Sequence, residues 1–261
     1  MQVSWLAQFL AGAGSGLAGG LLSGLFGIGG GIVLVPLLGL ALHLDQHRAQ
    51  GVTLAAMLLP IGLPAVLHYR KAGVPIHWPL VWILILGFLA GVLAGSELAN
   101  LLPERPLRFA FVVFLLVMAV WTLRGWRGGA EGIDPASLPA ARLALPGVAI
   151  GSAAGAASGL LGIGGGVVII PALALWLGLP QRQAQVISLV VMLLPIRLPG
   201  VLIYAKAQGG LPWVLLGGVA VGFGLGAGLG ARLAMRLSGP RLRAAFAGLM
   251  LVMAVLLAMR T

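Results

Sequence analysis

The sequence predicts an all-α polytopic membrane protein built from two inverted repeats, each with about four hydropathy peaks and a broken or hairpin first segment. Three observations lead to this fold class. Of the 261 residues, 60% are hydrophobic and 8% are charged, which leaves a soluble globule too little polar surface to cover itself. Most of the long apolar stretches can span a bilayer, which needs ~20 residues in a helix. The chain also repeats itself, and glycines and prolines interrupt its apolar stretches at matching positions.

An internal repeat divides the chain into two halves. The motif Gly24-Leu-Phe-Gly-Ile-Gly-Gly-Gly-Ile-Val-Leu-Val-Pro36 returns as Gly159-Leu-Leu-Gly-Ile-Gly-Gly-Gly-Val-Val-Ile-Ile-Pro171, a shift of 135 residues. The shift holds without a gap as far as Trp78 and Trp213, which indicates a tandem duplication. We therefore assign 1–123 to a first membrane repeat, 124–142 to a polar linker rich in Gly and Pro, and 143–261 to a second membrane repeat.

Glycine recurs at every fourth position in both halves. This spacing places the glycines on one face of a helix, where backbones can approach closely although lipid gives no hydrophobic drive for association. We expect these faces to be packing surfaces. The positions are 12, 16, 20, 24, 87, 91 and 95, then 147, 151, 155, 159, 218, 222, 226 and 230.

The first apolar segment of each half is too long for one crossing. The 38 residues from 5 to 42 would form a helix of roughly 57 Å against a hydrocarbon core of ~30 Å. Gly27 and the glycines at 29–31 mark the expected break, and the residue before Pro36 is pushed out of helical geometry. We predict a helix, an extended glycine-rich turn and a second helix that begins near Pro36, with the same arrangement around Pro171.

Loop charge favours a hairpin for this segment. With a single crossing, the Lys and Arg residues in loops and termini divide evenly between the two sides, seven and seven. With a hairpin they divide nine against five, which agrees better with the positive-inside rule. A hairpin plus three crossings gives each half an odd number of crossings, so the two copies should be oppositely oriented. The same count places both chain ends outside the cytoplasm.

A second break is predicted in the next helix of each half, at Pro60 and Pro64 and again at Pro195 and Pro199. Prolines four residues apart remove backbone donors and free the carbonyls beneath them. In a transporter such a break can contribute to the substrate site. The alternative is a packing kink without a role in binding.

Arg197 is the leading candidate for binding an anion. It lies between Pro195 and Pro199 in an apolar segment, whereas the equivalent residue of the first half is Gly62. A charge inside the bilayer is costly, and a guanidinium can hold an oxyanion with two parallel hydrogen bonds. The alternative is that the side chain extends to the membrane interface.

The glycine-rich turns are the second candidate. Backbone N–H groups in a turn ahead of a helix bind anions without a charged side chain, although glycine clusters can also serve close packing alone. Polar side chains that open the kinked helices can line the path or cap the helix start. Beside Arg197, the substrate-binding candidates are Gly29, Gly30, Gly31, Gly164, Gly165, Gly166, Gln50, Gln185, Thr53 and Ser188.

Glu97 and Arg232 occupy equivalent positions in the two halves and are the other charged residues within apolar segments. They either pair with each other or lie near the membrane edge. Because a carboxylate in a membrane segment can carry protons, Glu97 is the candidate for proton coupling.

Several other classes of function are disfavoured. The net charge of +11 comes from loop Lys and Arg, and no aromatic-basic motif indicates RNA binding, so we expect no nucleic-acid partner. The absence of cysteine excludes disulfides and thiolate metal sites. Zincin motifs, nucleophile elbows and close carboxylate pairs are also missing, so we expect no metal, no cofactor and no enzymatic activity.

The doubled glycine motif, followed in each half by four apolar residues and a proline, resembles the sulfite exporter TauE/SafE family. The resemblance covers almost the whole chain. It implies a multi-pass protein of the cytoplasmic (inner) membrane that moves sulfite, sulfoacetate or other organosulfonates, commonly as an ion-coupled exporter. It does not select the substrate, and the family supplies no rule for an arginine at position 197.

The leading hypothesis is a secondary transporter that exports a small sulfur oxyanion or organosulfonate by alternating access. A passive anion channel is the alternative, and a membrane-embedded enzyme is less favoured. The lipid bilayer is the expected environment. Coupling to protons or sodium ions and assembly as a homodimer are further partner hypotheses.

Overall fold

The computed structural model describes residues 4–26, 30–60, 63–124, 140–234 and 239–259. Within these ranges the regular secondary structure is α-helical, which confirms the predicted all-α class. The inverted relation of the two repeats stays a prediction. The described helices are α1 Trp5–Phe26, α2 Gly31–Leu42, α3 Gln46–Ala56, α4 Leu63–Lys71, α5 Trp78–Leu101, α6 Glu104–Arg124, α7 Ala140–Leu161, α8 Gly166–Trp176, α9 Gln181–Leu193, α10 Leu198–Ala207, α11 Trp213–Ala234 and α12 Gly239–Ala258.

The order of the helices follows the sequence repeat. Each of α1 to α6 begins 135 residues before its counterpart among α7 to α12. Trp5 and Ala140, for example, start the first helix of each half, although one is a large aromatic residue and the other a small aliphatic one. The duplication therefore fixes where helices start, even where the residue types have diverged.

The helices have the length and surface of membrane spans. α1, α5, α6, α7 and α11 are long and apolar enough to cross a bilayer, and α9 and α10 taken together, with a 50° bend at their break, are long and apolar enough for a sixth span. Their outer surfaces carry large apolar side chains such as Leu101 and Leu145, which are both 80% exposed. A surface of this kind suits lipid and not water, so the prediction of a polytopic membrane protein is confirmed.

Two seams of glycine hold the halves together. α1 packs along α11, and α5 packs along α7. Gly12 faces Val219 and Gly24 faces Ala227, so α1 and α11 run in the same direction. A Cβ atom at Gly24 would stand 2.8 Å from the carbonyl carbon of Ala227, which is closer than two backbones with side chains can approach. The predicted role of the glycine faces in packing is confirmed.

The first segment of each half is a helix followed by a short helix that turns back. α2 and α8 have 12 and 11 residues, fewer than the ~20 needed to span the core. Leu34 of α2 packs on Gly19 of α1, and Gly30 lies opposite Ser23. α2 therefore returns along α1, as expected for a hairpin.

The predicted start of the second helix near Pro36 and Pro171 is wrong. α2 begins at Gly31 and α8 at Gly166, five residues earlier in each case, and both prolines lie inside the helices. An internal proline removes only one backbone hydrogen bond. The N–H groups of the first helical turn, upstream of the proline, are free in any helix, so this turn does not depend on the bond that is lost. A membrane helix can therefore start before such a proline and continue past it, and neither proline marks a break.

The second break of each half lies where the proline pairs predict it. α3 gives way to α4 around Pro60, and α9 gives way to α10 around Pro195. Pro64 and Pro199 each occupy the second position of the helix that follows. In that first turn a proline costs no hydrogen bond, so the first proline of each pair interrupts the chain and the second starts the new helix.

The predicted linker falls almost wholly outside the described residues. α6 ends at Arg124 and α7 begins at Ala140. Residues 125–139 lie between them and are not described. The three-part division of the chain therefore stays a prediction.

Candidate functional site

The breaks of the two halves meet in one region. A Cβ atom at Gly31 would stand 2.5 Å from Cα of Ile163 and 2.6 Å from the carbonyl oxygen of Gly162, so the two glycine-rich turns touch. A Cβ atom at Gly164 would stand 2.5 Å from Cε of Met57, at the break that follows α3. Both hairpin turns and a proline break therefore contribute to the same place between the halves.

The glycine turn of the second half is non-helical, as predicted. Gly162, Gly164 and Gly165 have φ angles of 72°, 83° and 69°, a region that residues with side chains rarely adopt. Gly30, the equivalent of Gly165, has a φ of −58°. At this position the two copies thus differ in conformation despite their nearly identical sequences. Gly29 lies outside the described residues.

Arg197 joins these breaks. It is the N-cap residue of α10 and is only 4% exposed. Its Nη1 donates to the carbonyl oxygen of Met57 at 2.7 Å, and its Nη2 donates to that of Gly164 at 3.0 Å and contacts Sδ of Met192. Its Nε–H group has no hydrogen-bond partner. The side chain is turned into the protein and does not extend to the membrane interface.

Among the described residues, no acidic side chain pairs with Arg197. Met57 is the C-cap residue of α3, where a helix end carries partial negative charge, and the other acceptors are a carbonyl oxygen and a thioether. These groups satisfy hydrogen bonds but supply no counter-ion. A buried guanidinium without a counter-ion is costly, and an anion that entered the site would relieve that cost. Chemically, the arrangement suits binding of an anion.

A polar stripe on α3 leads to Arg197. Gln46, Gln50, Thr53 and Met57 are separated by four, three and four residues, which places them on one helix face. Gln46 is 4% exposed, and Gln50 and Thr53 are 0% exposed. The Nε2 atoms of both glutamines and Oγ1 of Thr53 have no hydrogen-bond partner. The stripe therefore presents unused donors along a buried face that ends at the guanidinium.

The equivalent face of α9 also reaches Arg197. It carries Gln185, Ser188 and Met192, and Met192 contacts the guanidinium. A Cβ atom at Gly166 would stand 3.4 Å from Oγ of Ser188. The structure thus places the predicted glutamines and hydroxyls on two helix faces that meet at the arginine, and the glycine turn of the second half contacts the arginine through Gly164.

The hydroxyls do not cap their helices, contrary to one of the predicted roles. Asp45 caps α3 by accepting a hydrogen bond from the backbone N–H of Arg48 at 2.7 Å. Thr53 lies near the other end of the helix, and Ser188 is similarly distant from Gln181, where α9 begins. The apolar stretches of the sequence begin at residues 51 and 186, inside the helices, and so did not reveal these starts.

Two tyrosines bond the glutamines of the opposite half. The hydroxyl of Tyr204 lies 2.8 Å from Oε1 of Gln50 and 2.8 Å from the carbonyl oxygen of Gly159. Tyr69 donates to Oε1 of Gln185 at 2.9 Å. Tyr204 and Gln50 are 0% exposed, whereas Tyr69 and Gln185 are partly exposed. The two equivalent tyrosine–glutamine pairs therefore differ in burial, and only the pair on α3 is fully shielded from the surface.

Sequence reasoning missed the tyrosines and also Ser96. The repeat aligns Tyr69 with Tyr204, and this was the available signal for them. Ser96 Oγ would stand 2.8 Å from a Cβ atom at either Gly159 or Gly200, is fully buried and has no hydrogen-bond partner. The sequence feature that could have pointed to Ser96 is a hydroxyl beside the glycine face of an apolar span.

Glu97 lies apart from this region. Both Glu97 and Arg232 are exposed, and no ion pair joins them. Glu97 is close to the end of α5 at Leu101, which agrees with the expected position near the membrane edge. Its role in proton coupling stays a prediction. Within the described ranges, no three His, Asp or Glu side chains come together as metal ligands.

Comparison with known proteins agrees with this architecture. The chain matches the family described as "Sulfite exporter TauE/SafE" over residues 12–257. The probable membrane transporter protein YdhB of Bacillus subtilis is 28% identical over 206 residues, which cover 78% of this chain and 81% of that protein. No solved structure matches the chain.

Two further relatives are matched over shorter regions. A probable membrane transporter protein of Methanocaldococcus jannaschii is 31% identical over 175 residues, which cover 65% of this chain and 62% of that protein. One of Xylella fastidiosa is 29% identical over 172 residues, which cover 66% and 64%. The family match takes in both glycine motifs, both proline breaks and Arg197, and on this basis the chain belongs to the sulfite exporter TauE/SafE family of membrane transporters.

Proposed function

We propose that this protein is a secondary transporter that exports small sulfur-containing anions, sulfite or organosulfonates, across the cytoplasmic membrane by alternating access. The carrying observation is Arg197, a buried guanidinium with an unused Nε–H group at the point where the helix breaks of both halves meet. Membership of the family supports the class of substrate. The names of the relatives support transport without naming a substrate.

In this proposal Arg197 supplies the charge and its neighbours supply the hydrogen bonds. The Nε–H group takes one oxygen atom of the anion, and unused donors of Gln50 and Thr53 on α3 take others as it moves. On α9, Ser188 and Gln185 hydrogen-bond the anion in the same way. The glycine turns let the backbone approach the anion closely. A guanidinium is suited to this role because it binds oxyanions directionally.

Opposite orientation of the two halves supports alternating access. α1 crosses, α2 turns back, α3 with α4 crosses again and α5 returns, so α1 and α5 run in opposite directions in the proposed topology. The first helix of the second half, α7, packs parallel to α5, and α11 packs parallel to α1. Such reciprocal packing, of the first helix of each half on the fifth helix of the other, is expected of inverted repeats related by a two-fold axis in the membrane plane. The unequal burial of the tyrosine–glutamine pairs suits a carrier closed on one side.

Counterflow in proteoliposomes tests the proposal. Vesicles loaded with unlabelled sulfite should transiently accumulate labelled sulfite, because a carrier exchanges one anion for another. We expect Arg197→Ala to abolish this accumulation, with a loss of at least about a hundredfold, since the paired charge and its hydrogen bonds together contribute roughly 3 kcal/mol or more.

Two controls make the outcome decisive. Arg232→Ala removes an exposed arginine and should leave transport unchanged. Because Arg197 also bonds two backbone carbonyls, melting temperatures and gel-filtration profiles of Arg197→Ala and Arg197→Lys must show that the proteins are folded. Uptake without counterflow would favour a passive channel, and a chemically altered substrate in mass spectrometry would favour an enzyme. Unchanged counterflow in folded Arg197→Ala would remove Arg197 from the site.

A further inference from the structure

We propose that the site selects singly charged oxyanions over doubly charged ones of the same chemistry. This inference rests on the proposed function and deepens it. It makes hydrogensulfite and singly charged sulfonates substrates, and it makes sulfate, thiosulfate, disulfonates and sulfonates with a second ionised group, such as sulfoacetate, poor ones. The observations that carry it are the charges around Arg197 and the unused donors beside it.

Arg197 is the one charged side chain among the buried polar residues in the part of the chain that the structure describes. The other buried polar side chains there are Ser, Thr and Gln. The described carboxylates lie elsewhere: Asp45 and Glu97 are exposed, and Glu104 is partly exposed and bonded to Arg108. The fixed charge that a bound anion meets is therefore that of one guanidinium.

Helix ends do not change this balance. Met57 is the C-cap residue of α3 and Arg197 is the N-cap residue of α10, so these two ends contribute partial charges of opposite sign. Leu194 at the C-cap of α9 and Gly165 at the N-cap of α8 form a second pair of opposite ends. The remaining neighbours, the carbonyl oxygen of Gly164 and the sulfur of Met192, are neutral. A singly charged anion neutralises the site. A doubly charged anion leaves one negative charge unpaired in a medium of low dielectric constant, where it is strongly disfavoured.

The unused donors explain why an oxyanion, with several oxygen atoms, suits the site. Arg197 offers its Nε–H group, and Thr53, one turn before Met57 on α3, offers its hydroxyl; neither has a partner among the described residues. Gln50, two turns before Met57, offers its Nε2 group further along the same helix face. They can bond oxygen atoms without adding positive charge. The unused donors thus recognise the shape and the oxygen atoms of the anion, whereas Arg197 alone recognises its charge.

The test uses sulfonates that differ in charge. Counterflow of labelled ethanesulfonate into proteoliposomes is measured against increasing unlabelled butane-1-sulfonate or ethane-1,2-disulfonate. The first is a singly charged control for length, and the second carries two charges. We expect the disulfonate to compete at least about tenfold more weakly than butane-1-sulfonate, because its second charge stays unpaired.

The outcomes distinguish failure of the charge selection from failure of the proposed function. Equal or stronger competition by the disulfonate would overturn the charge selection while leaving the proposed function intact. Absence of any counterflow with sulfite or ethanesulfonate would instead overturn the proposed function. Arg197→Lys, which keeps one positive charge, should retain the preference even if its transport is slower. Loss of the preference in that variant, with residual counterflow, would show that Arg197 recognises geometry and not charge.

Discussion

At the scale of single residues, the crossed tyrosine–glutamine pairs show how the two halves depend on each other. Tyr204 and Gln50 are separated by 154 residues in the chain, and Tyr69 and Gln185 by 116. Both pairs are related by the sequence repeat, yet only the first is fully buried. Identical side chains therefore carry different energetic weight in the two halves, because burial decides how costly a lost hydrogen bond is.

Tyr204→Phe should be markedly more destabilising than Tyr69→Phe. The first change leaves Oε1 of Gln50 and the carbonyl oxygen of Gly159 without this donor in a fully buried place, which costs about 1–3 kcal/mol. The second removes a hydroxyl from a partly exposed pair, where water can replace it. Thermal unfolding of both purified variants in the same detergent measures the difference. Equal melting temperatures would show that the two pairs are equivalent in solution.

At the scale of the elements, glycine determines which helices become neighbours. The glycine faces of α1 and α11, and those of α5 and α7, allow backbone contact between halves. Their period of four was readable in the sequence, but the pairing was not, because any glycine face could in principle pack on any other. The prolines were partly misleading for a related reason. Pro60 and Pro195 interrupt the helical hydrogen bonds, whereas Pro36 and Pro171 are accommodated within short helices.

Gly222→Ala should destabilise the protein while Gly224→Ala should not. A Cβ atom at Gly222 would stand 2.8 Å from the backbone nitrogen of Leu17, whereas nothing lies within 4 Å of one at Gly224. Backbone cannot move aside as a flexible side chain does, so the seam must open, at a cost of about 1–3 kcal/mol. Melting temperatures of the two variants, each of which adds one methyl group to the same helix α11, provide the comparison. A stable Gly222→Ala protein would contradict tight packing of this seam.

At the scale of the whole molecule, the two halves share one fold but are proposed to face opposite sides of the membrane. The engineered pair Ala72→Cys and Ala207→Cys tests this orientation. Both positions are exposed, they are related by the 135-residue shift, and the natural chain has no cysteine. Because the proposed hairpin topology puts nine loop and terminal basic residues on the side of residue 72, the positive-inside rule predicts that this position is cytoplasmic.

An impermeant maleimide added to intact cells should label Cys at position 207 and not at position 72. Permeabilised cells should be labelled at both positions, which controls for accessibility of the thiols. Labelling of both from outside would contradict opposite orientation of the halves. Labelling of position 72 alone from outside would retain it but reverse the direction of the whole protein.

The sequence by itself determined the all-helical membrane class, the duplication, the glycine packing faces, the positions of the second breaks and the candidacy of Arg197. These follow from local rules: apolar length, the period of the glycines, proline chemistry and the cost of a charge in lipid. The tertiary structure decided what Arg197 contacts, which tyrosine bonds which glutamine, where Ser96 lies and which helices share a seam. Those contacts join residues far apart in the chain, and no local preference encodes which distant partner will complete a buried hydrogen bond.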